Sequence, residues 1–119
     1  MAHYVDGFVI PILKKSVDAY RHGAQKTGKI WRDHGALEFR ECVGEDLNIE
    51  MGKPFPRGIK TKPGETVIFS YIVFKSRAHR DRVNAKVMKD PRLAEMMDQP
   101  MPFDVKRMLY GGFKTIVEA

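Results

Sequence analysis

Residues 67–74 read VIFSYIVF. A run of Val, Ile and aromatic side chains broken by one serine describes a strand at the centre of a sheet, with apolar cover on both faces. A second run, YVDGFVIPI at 4–12, has the same character and reads as the first strand. Between the two the period changes. From Ser16 onward, Val17, Tyr20, Ala24, Gly28 and Trp31 recur at spacings of three and four, and Gly35 supplies a stop, as in a helix. Residues 36–43, ALEFRECV, then alternate, with Leu37, Phe39 and Val43 on one side and Glu38, Arg40 and Cys42 on the other. That is the pattern of a half-buried strand.

Downstream of 67–74, Ser76 is placed to cap a second helix whose apolar contacts are Val83, Val87 and Met88. Asp90-Pro91 breaks that helix and opens a short further turn through Met97. A last strand is expected from about Met108 to Val117. Gly44 to Glu65 carries three prolines and four glycines and reads as a long connection, with a short extended piece from Phe55 to Thr61.

The order strand, helix, strand, strand, helix, strand predicts an α+β domain over 1–119, of the ferredoxin-like βαββαβ type with a four-stranded antiparallel sheet. Two helices cover one face of such a sheet. Here both alternating sets are apolar or aromatic: Val5 and Val9 against Tyr4, Phe8 and Ile10, and Phe69 and Tyr71 against Ile68, Ile72 and Phe74. A second cover is therefore expected, and a second copy of the chain packing sheet to sheet is the economical one.

At 119 residues the chain is long enough for a core without staples. Its charge of +6 is spread along the sequence, which describes a solvated basic surface and not a nucleic-acid patch. Cys42 is the only cysteine, so an internal disulfide and a cysteine-built zinc site are excluded. His3, His22, His34 and His79 have no metal-ligand spacing, and neither metal nor cofactor is expected. Cys42 reads as a small buried residue and His34 as a helix-terminal cap. MAHYVDGFVIPIL lacks a basic leader and no run is long enough to span a bilayer, so a cytoplasmic protein is expected.

Several stretches carry a resemblance: YVDGFV at 4–9, GAL at 35–37, VIFSYI at 67–72, RDRVNAKVMKDPR at 80–92, and MPFD with KRMLYGGF within 101–113. Together they resemble the YbaA-like family of small bacterial proteins, a family without an assigned function. The resemblance implies the dimeric α/β-barrel superfamily, in which two ferredoxin-like subunits pair their sheets around a cavity. That superfamily includes cofactor-free monooxygenases, isomerases and stress-response proteins, and fold alone selects none of them.

The segment MPFDVKRMLYGGF at 101–113 holds the most chemistry. Its glycines are no phosphate loop, because only seven residues follow and no helix N-terminus stands behind them. Gly111 and Gly112 should lie beside Gly7 in the sheet, making room for Tyr20 or Trp31 of the first helix, or for a ligand on the opposite face. Asp6, an acid inside a strand, is the candidate base if it faces the cavity between subunits; a salt bridge is its structural alternative. Arg107 offers a guanidinium for a ligand carboxylate, or for Glu41 or Asp6. Tyr110 offers a hydroxyl on an aromatic body.

Asp6, Arg107 and Tyr110 are thus the candidate catalytic residues, and Tyr4, Phe8, Tyr71, Phe103 and Asp104 the candidate ligand contacts. The expected function is a homodimer whose inter-subunit cavity binds a small organic molecule, with cofactor-independent oxidation or isomerisation as the implied chemistry. A non-catalytic dimerisation protein is the alternative. Nucleic-acid binding ranks last, because TVIFSYIVF lacks the aromatic order of RNA-recognition motifs and aliphatic residues crowd both faces.

Overall fold

A computed structural model describes residues 2–119. The principal elements are β1 (Tyr4–Leu13), α1 (Val17–Asp33), β2 (Glu38–Val43), α2 (Phe55–Ile59), β3 (Glu65–Phe74), α3 (Arg77–Met88), α4 (Pro91–Met97) and β4 (Leu109–Lys114). Short 3-10 turns at Lys14–Ser16 and Val105–Arg107 lead into α1 and β4. The strands form one antiparallel sheet in the order β2-β3-β1-β4, the ferredoxin-like arrangement.

Register fixes the faces. Ile72 pairs with Asp6 and with Phe39, and Asp6 pairs with Gly112. Side chains alternate along each strand, so Tyr4, Asp6, Phe8, Ile10 and Ile12 share a face with Ile68, Ser70, Ile72 and Phe74. The helices cover this face. Ile30 of α1 and Val83 and Val87 of α3 meet Ile72 and Phe74 in a closed cluster, while Ile10, Ile12 and Ile68 form a second. Gly28 lets α1 approach the sheet closely: a Cβ there would stand 2.8 Å from the Phe39 ring.

The helix boundaries follow the capping chemistry anticipated for them. Ser76 accepts a hydrogen bond from the His79 N–H and opens α3. Asp90 accepts from the Arg92 N–H at the start of α4, with Pro91 at a position needing no N–H donor. Gly35, at φ +113°, takes the left-handed conformation after α1. His34 ends α1 and joins Asp90 through Nε2 at 2.8 Å, so it ties two helices as well as terminating one.

Four local expectations are corrected. Phe55 to Thr61 is not extended: Pro54 sets the entry, Pro56 suits the first turn, and Lys60 at φ 56° closes α2. Cys42 is exposed, because the register places it opposite Phe69 on the face away from the helices. Met88 is also largely exposed, one residue past the inner stripe of Val83 and Val87. The glycines admit neither Tyr20 nor Trp31. Gly7 pairs with Gly111, and the Phe113 ring lies over both on the outer face. On the inner face, Tyr4 occupies the space that a Cβ of Gly112 would need.

The face away from the helices carries Val5, Val9, Phe69, Tyr71, Leu109 and Phe113. Phe69 is 47% exposed and Phe113 61%. The chain thus covers the helix side of β3 fully and the other side only at its start, where Val67 and Pro11 are buried and Phe55 of α2 meets Phe69 edge-on at 6.4 Å.

Candidate functional site

The inner face holds two acids, Asp6 and Glu41, in a largely apolar surface that also carries Ser70 and Thr66. Asp6 is 1% exposed. Arg80, in the first turn of α3, donates from Nη1 to Asp6 Oδ1 at 2.8 Å, and the Tyr110 hydroxyl donates to Oδ2 at 3.4 Å. The Tyr4 ring lies under the guanidinium, 5.0 Å from Cζ to the ring centroid. Burial raises the Asp6 pKa above its ordinary value, against the opposing pull of Arg80, Asn84 and Tyr110. Burial likewise raises the Tyr110 hydroxyl, and the Asp6 charge adds to it.

Glu41 is the second acid. It pairs with Ser70 across β2 and β3, and Tyr20 of α1 donates its hydroxyl to Glu41 Oε1 at 2.7 Å. Burial raises the Glu41 pKa, while the hydroxyls of Tyr20 and Ser70 pull the other way. Burial and the adjacent Glu41 push the Tyr20 hydroxyl well up.

A cavity of about 540 Å³ lies between sheet and helices and touches both acids. Phe8, Ser70 and Ile72 belong to its sheet side, and Tyr20, Ala24 and Thr27 to α1. Met96, Met101, Phe103 and Met108 border it from α4 and the segment that follows. Phe8 and Tyr110 stack at 4.7 Å, and Tyr20 meets Phe103 edge-on at 5.7 Å. Tyr110, Phe8, Ser70 and Glu41 stand in one row across β4, β1, β3 and β2. Three strand spacings separate the ends of that row, roughly 14 Å.

The residues singled out from the sequence divide accordingly. Asp6, Phe8, Phe103 and Tyr110 come together at this cavity, which lies within one chain on the helix-covered face of the sheet and not, as expected, between two paired sheets. Tyr71 also borders the cavity, between Ser70 and Ile72, but alternation turns its ring to the outer face, near Phe69. Tyr4 packs under Arg80 and is not among the cavity-lining residues.

Arg107 does not join Asp6 or Glu41. It grips Glu65 through two bonds of 2.7 and 2.8 Å and donates to the Lys60 carbonyl, pinning the turn before β4 to the start of β3. The Glu65 carboxyl falls to about 2, chiefly through its Arg107 bonds. Asp104 caps the 3-10 turn by accepting from the Lys106 N–H at 3.0 Å.

Sequence reasoning missed Arg80, Asn84 and the placement of Glu41. The signals were present. Arg80 and Asn84 are four apart and flank Val83 on the inner side of α3, interrupting an apolar stripe. Glu41 falls in the same alternating set as Phe39 and Val43, a charge in the apolar register.

One sheet of order β2-β3-β1-β4, helices on one face and an acid-bearing cavity beneath them define a ferredoxin-like α+β protein. A solved structure of that class agrees: a dimeric ferredoxin-like protein from an uncultured marine organism matches with a TM-score of 0.58 at 12% identity, covering 100% of both chains. The chain belongs to the family described as "Protein of unknown function (DUF1428)", whose model matches residues 3–105. Its relatives include "Uncharacterized protein YbaA" of Escherichia coli K12, 41% identical over 115 residues and covering 97% of each chain. The Shigella flexneri protein of the same name matches with the same identity and coverage.

Proposed function

We propose that this protein binds a small organic molecule in the cavity between its sheet and its helices. The observation that carries the reading is the enclosure of two carboxylates, Asp6 and Glu41, in a space of about 540 Å³ lined mainly by apolar and aromatic side chains. Pockets of roughly 300–1,000 Å³ with a few convergent polar groups are the usual form of small-molecule sites. The turnover this equipment supports is proton transfer, as in an isomerisation, with Asp6 as acceptor and Tyr110 as the neighbouring hydroxyl. The polar groups of a ligand would meet Asp6 and Tyr110 at one side, with Arg80 behind Asp6 as its ion-pair partner, and Phe8 and Phe103 would contact its body. Arg107 and Asp104 have structural work in this reading.

The test is a fragment screen read by chemical shifts. Ligands should perturb Phe8, Ser70, Phe103 and Tyr110 together. Gly23 lies on the inner side of α1 among the cavity-lining residues, and a Cβ added there meets nothing within 4 Å. Gly23→Leu should therefore abolish the shifts while the protein stays folded. Fragments that perturb only the outer face would overturn the proposal.

A second reading concerns the outer face. Phe69, Leu109 and Phe113 are exposed on one contiguous sheet surface, and a homodimer paired through it would remove them from water. The dimeric neighbour of the same fold supports this reading. Solution mass tests it: a monomer at micromolar concentration would end it, and Phe113→Lys should shift a dimer toward monomer.

A further inference from the structure

We infer that the Glu41 end of the cavity receives a positively charged nitrogen, an amine or quaternary ammonium carried on an apolar or aromatic body. The inference deepens the small-molecule reading above and rests on it. Its basis is a contrast in how this chain treats its enclosed acids. Asp6 has Arg80 at 2.8 Å, Glu65 has Arg107 at 2.7 Å, and Asp90 has Arg92 at 2.8 Å. Glu41 is partly buried, yet its bonded partner is the neutral hydroxyl of Tyr20. Among the described residues no Lys, Arg or His nitrogen lies within 4.0 Å of it. The chain is not short of cations, having 21 Lys and Arg against 15 Asp and Glu. Lys26 and Arg40 both border the cavity, but they are exposed and neither pairs with Glu41.

An enclosed carboxylate without a countercharge is costly, and a cation arriving with the ligand would supply the missing partner. The surroundings suit such a group. Tyr20, Phe39 and Phe103 border the same space, and aromatic faces attract ammonium groups. Met96 and Met101 add unbranched side chains that adapt to an apolar body. A groove of about 660 Å³ between α1 and β2 also touches Tyr20 and Glu41, so this end of the cavity is the one next to an opening.

The experiment compares 4-phenylbutylamine with 4-phenylbutanol by chemical-shift titration of the full chain at neutral pH. The two probes share a body and differ in charge. The amine should bind at least about tenfold more tightly, the worth of one charge-assisted hydrogen bond. Glu41→Gln should erase that preference and weaken the alcohol far less than the amine, since the amide retains an acceptor for Tyr20 and for a hydroxyl. Tyr20→Phe keeps the carboxylate and should keep the preference, which controls for damage to the site. Equal binding of amine and alcohol to the unaltered protein would overturn the cationic inference while sparing the pocket. So would a preference that survives Glu41→Gln. Failure of both probes, together with no cavity shifts in the fragment screen, would overturn the pocket reading as well.

Discussion

Asp6 stands on β1 beneath α3 and is met by a guanidinium at 2.8 Å, whereas Glu41 stands on edge strand β2 and is met by a phenol hydroxyl at 2.7 Å. Both acids face the same cavity, and burial raises both carboxyl pKa values. The two solutions differ in what they leave free. At Asp6 the charge is answered inside the fold by a residue 74 positions away, so the ion pair helps hold α3 to β1. At Glu41 the hydroxyl orients the carboxylate without cancelling it, so the charge remains available to something else. A buried pair is structural by default; a buried acid held only by hydroxyls is poised for a partner or a proton.

The largest effect that would break this contrast is expected at Arg80. Arg80→Met strands Asp6 in an apolar site and should cost about 3 kcal/mol of stability, measured by denaturant unfolding. Adding Asp6→Asn should recover part of that loss, because the stranded charge is gone. If Arg80→Met is neutral, the Asp6 pair has no structural role and the contrast fails.

A smaller effect is expected at the other acid. Tyr20→Phe removes one hydrogen bond to Glu41 and should cost about 1 kcal/mol by the same measurement.

The smallest is a pH effect. For both acids the folded pKa lies above the unfolded value, so the folded state binds the proton more tightly. Their contribution is full below the unfolded pKa, near 4.5 for a glutamate, and is lost as pH rises through the folded value. Glu65 runs the opposite way: with a folded pKa of about 2, its contribution is present above 4.5 and lost as pH falls toward 2. Unfolding measured across pH should therefore show a decline above 4.5 that is shallower in Glu41→Gln than in the unaltered protein.

Much of the fold was legible because it rests on local chemistry. Ser76, Gly35 and Asp90-Pro91 act on backbone groups within four residues of themselves, and they mark the same boundaries in the structure. The alternation along 4–12 and 67–74 fixed which residues share a face, and through it the apolar outer surface that the two helices leave to another cover. The site was less legible. Asp6, Phe8, Phe103 and Tyr110 were singled out and do meet, but their meeting place depends on which face the helices cover. Spacing is silent on that point when both faces are apolar. Arg107 stands out in the sequence because it enters the last strand just after Pro102-Phe103, and Arg80 carries no such mark. Pairing across 74 residues depends on where α3 docks, and sequence distance carries no trace of it. Proline hid α2, since the residue that ends an extended run is also well suited to the first turn of a helix.

The paired glycines of β1 and β4 have a mechanical consequence. At Gly7 and Gly111 the two strands are joined through backbone alone, and the Phe113 ring lies across the gap where side chains would otherwise lock them. No residue of β4 is fully buried, so the strand should behave as a hinge-like flap with amide exchange faster at 109–114 than at 67–74. Tyr110 rides on that flap. Were β4 to lift, breaking the Phe8–Tyr110 stack, Asp6 would lose its hydroxyl neighbour and the cavity a wall, so exchange at a sheet edge and access to an enclosed acid would be coupled in a single motion.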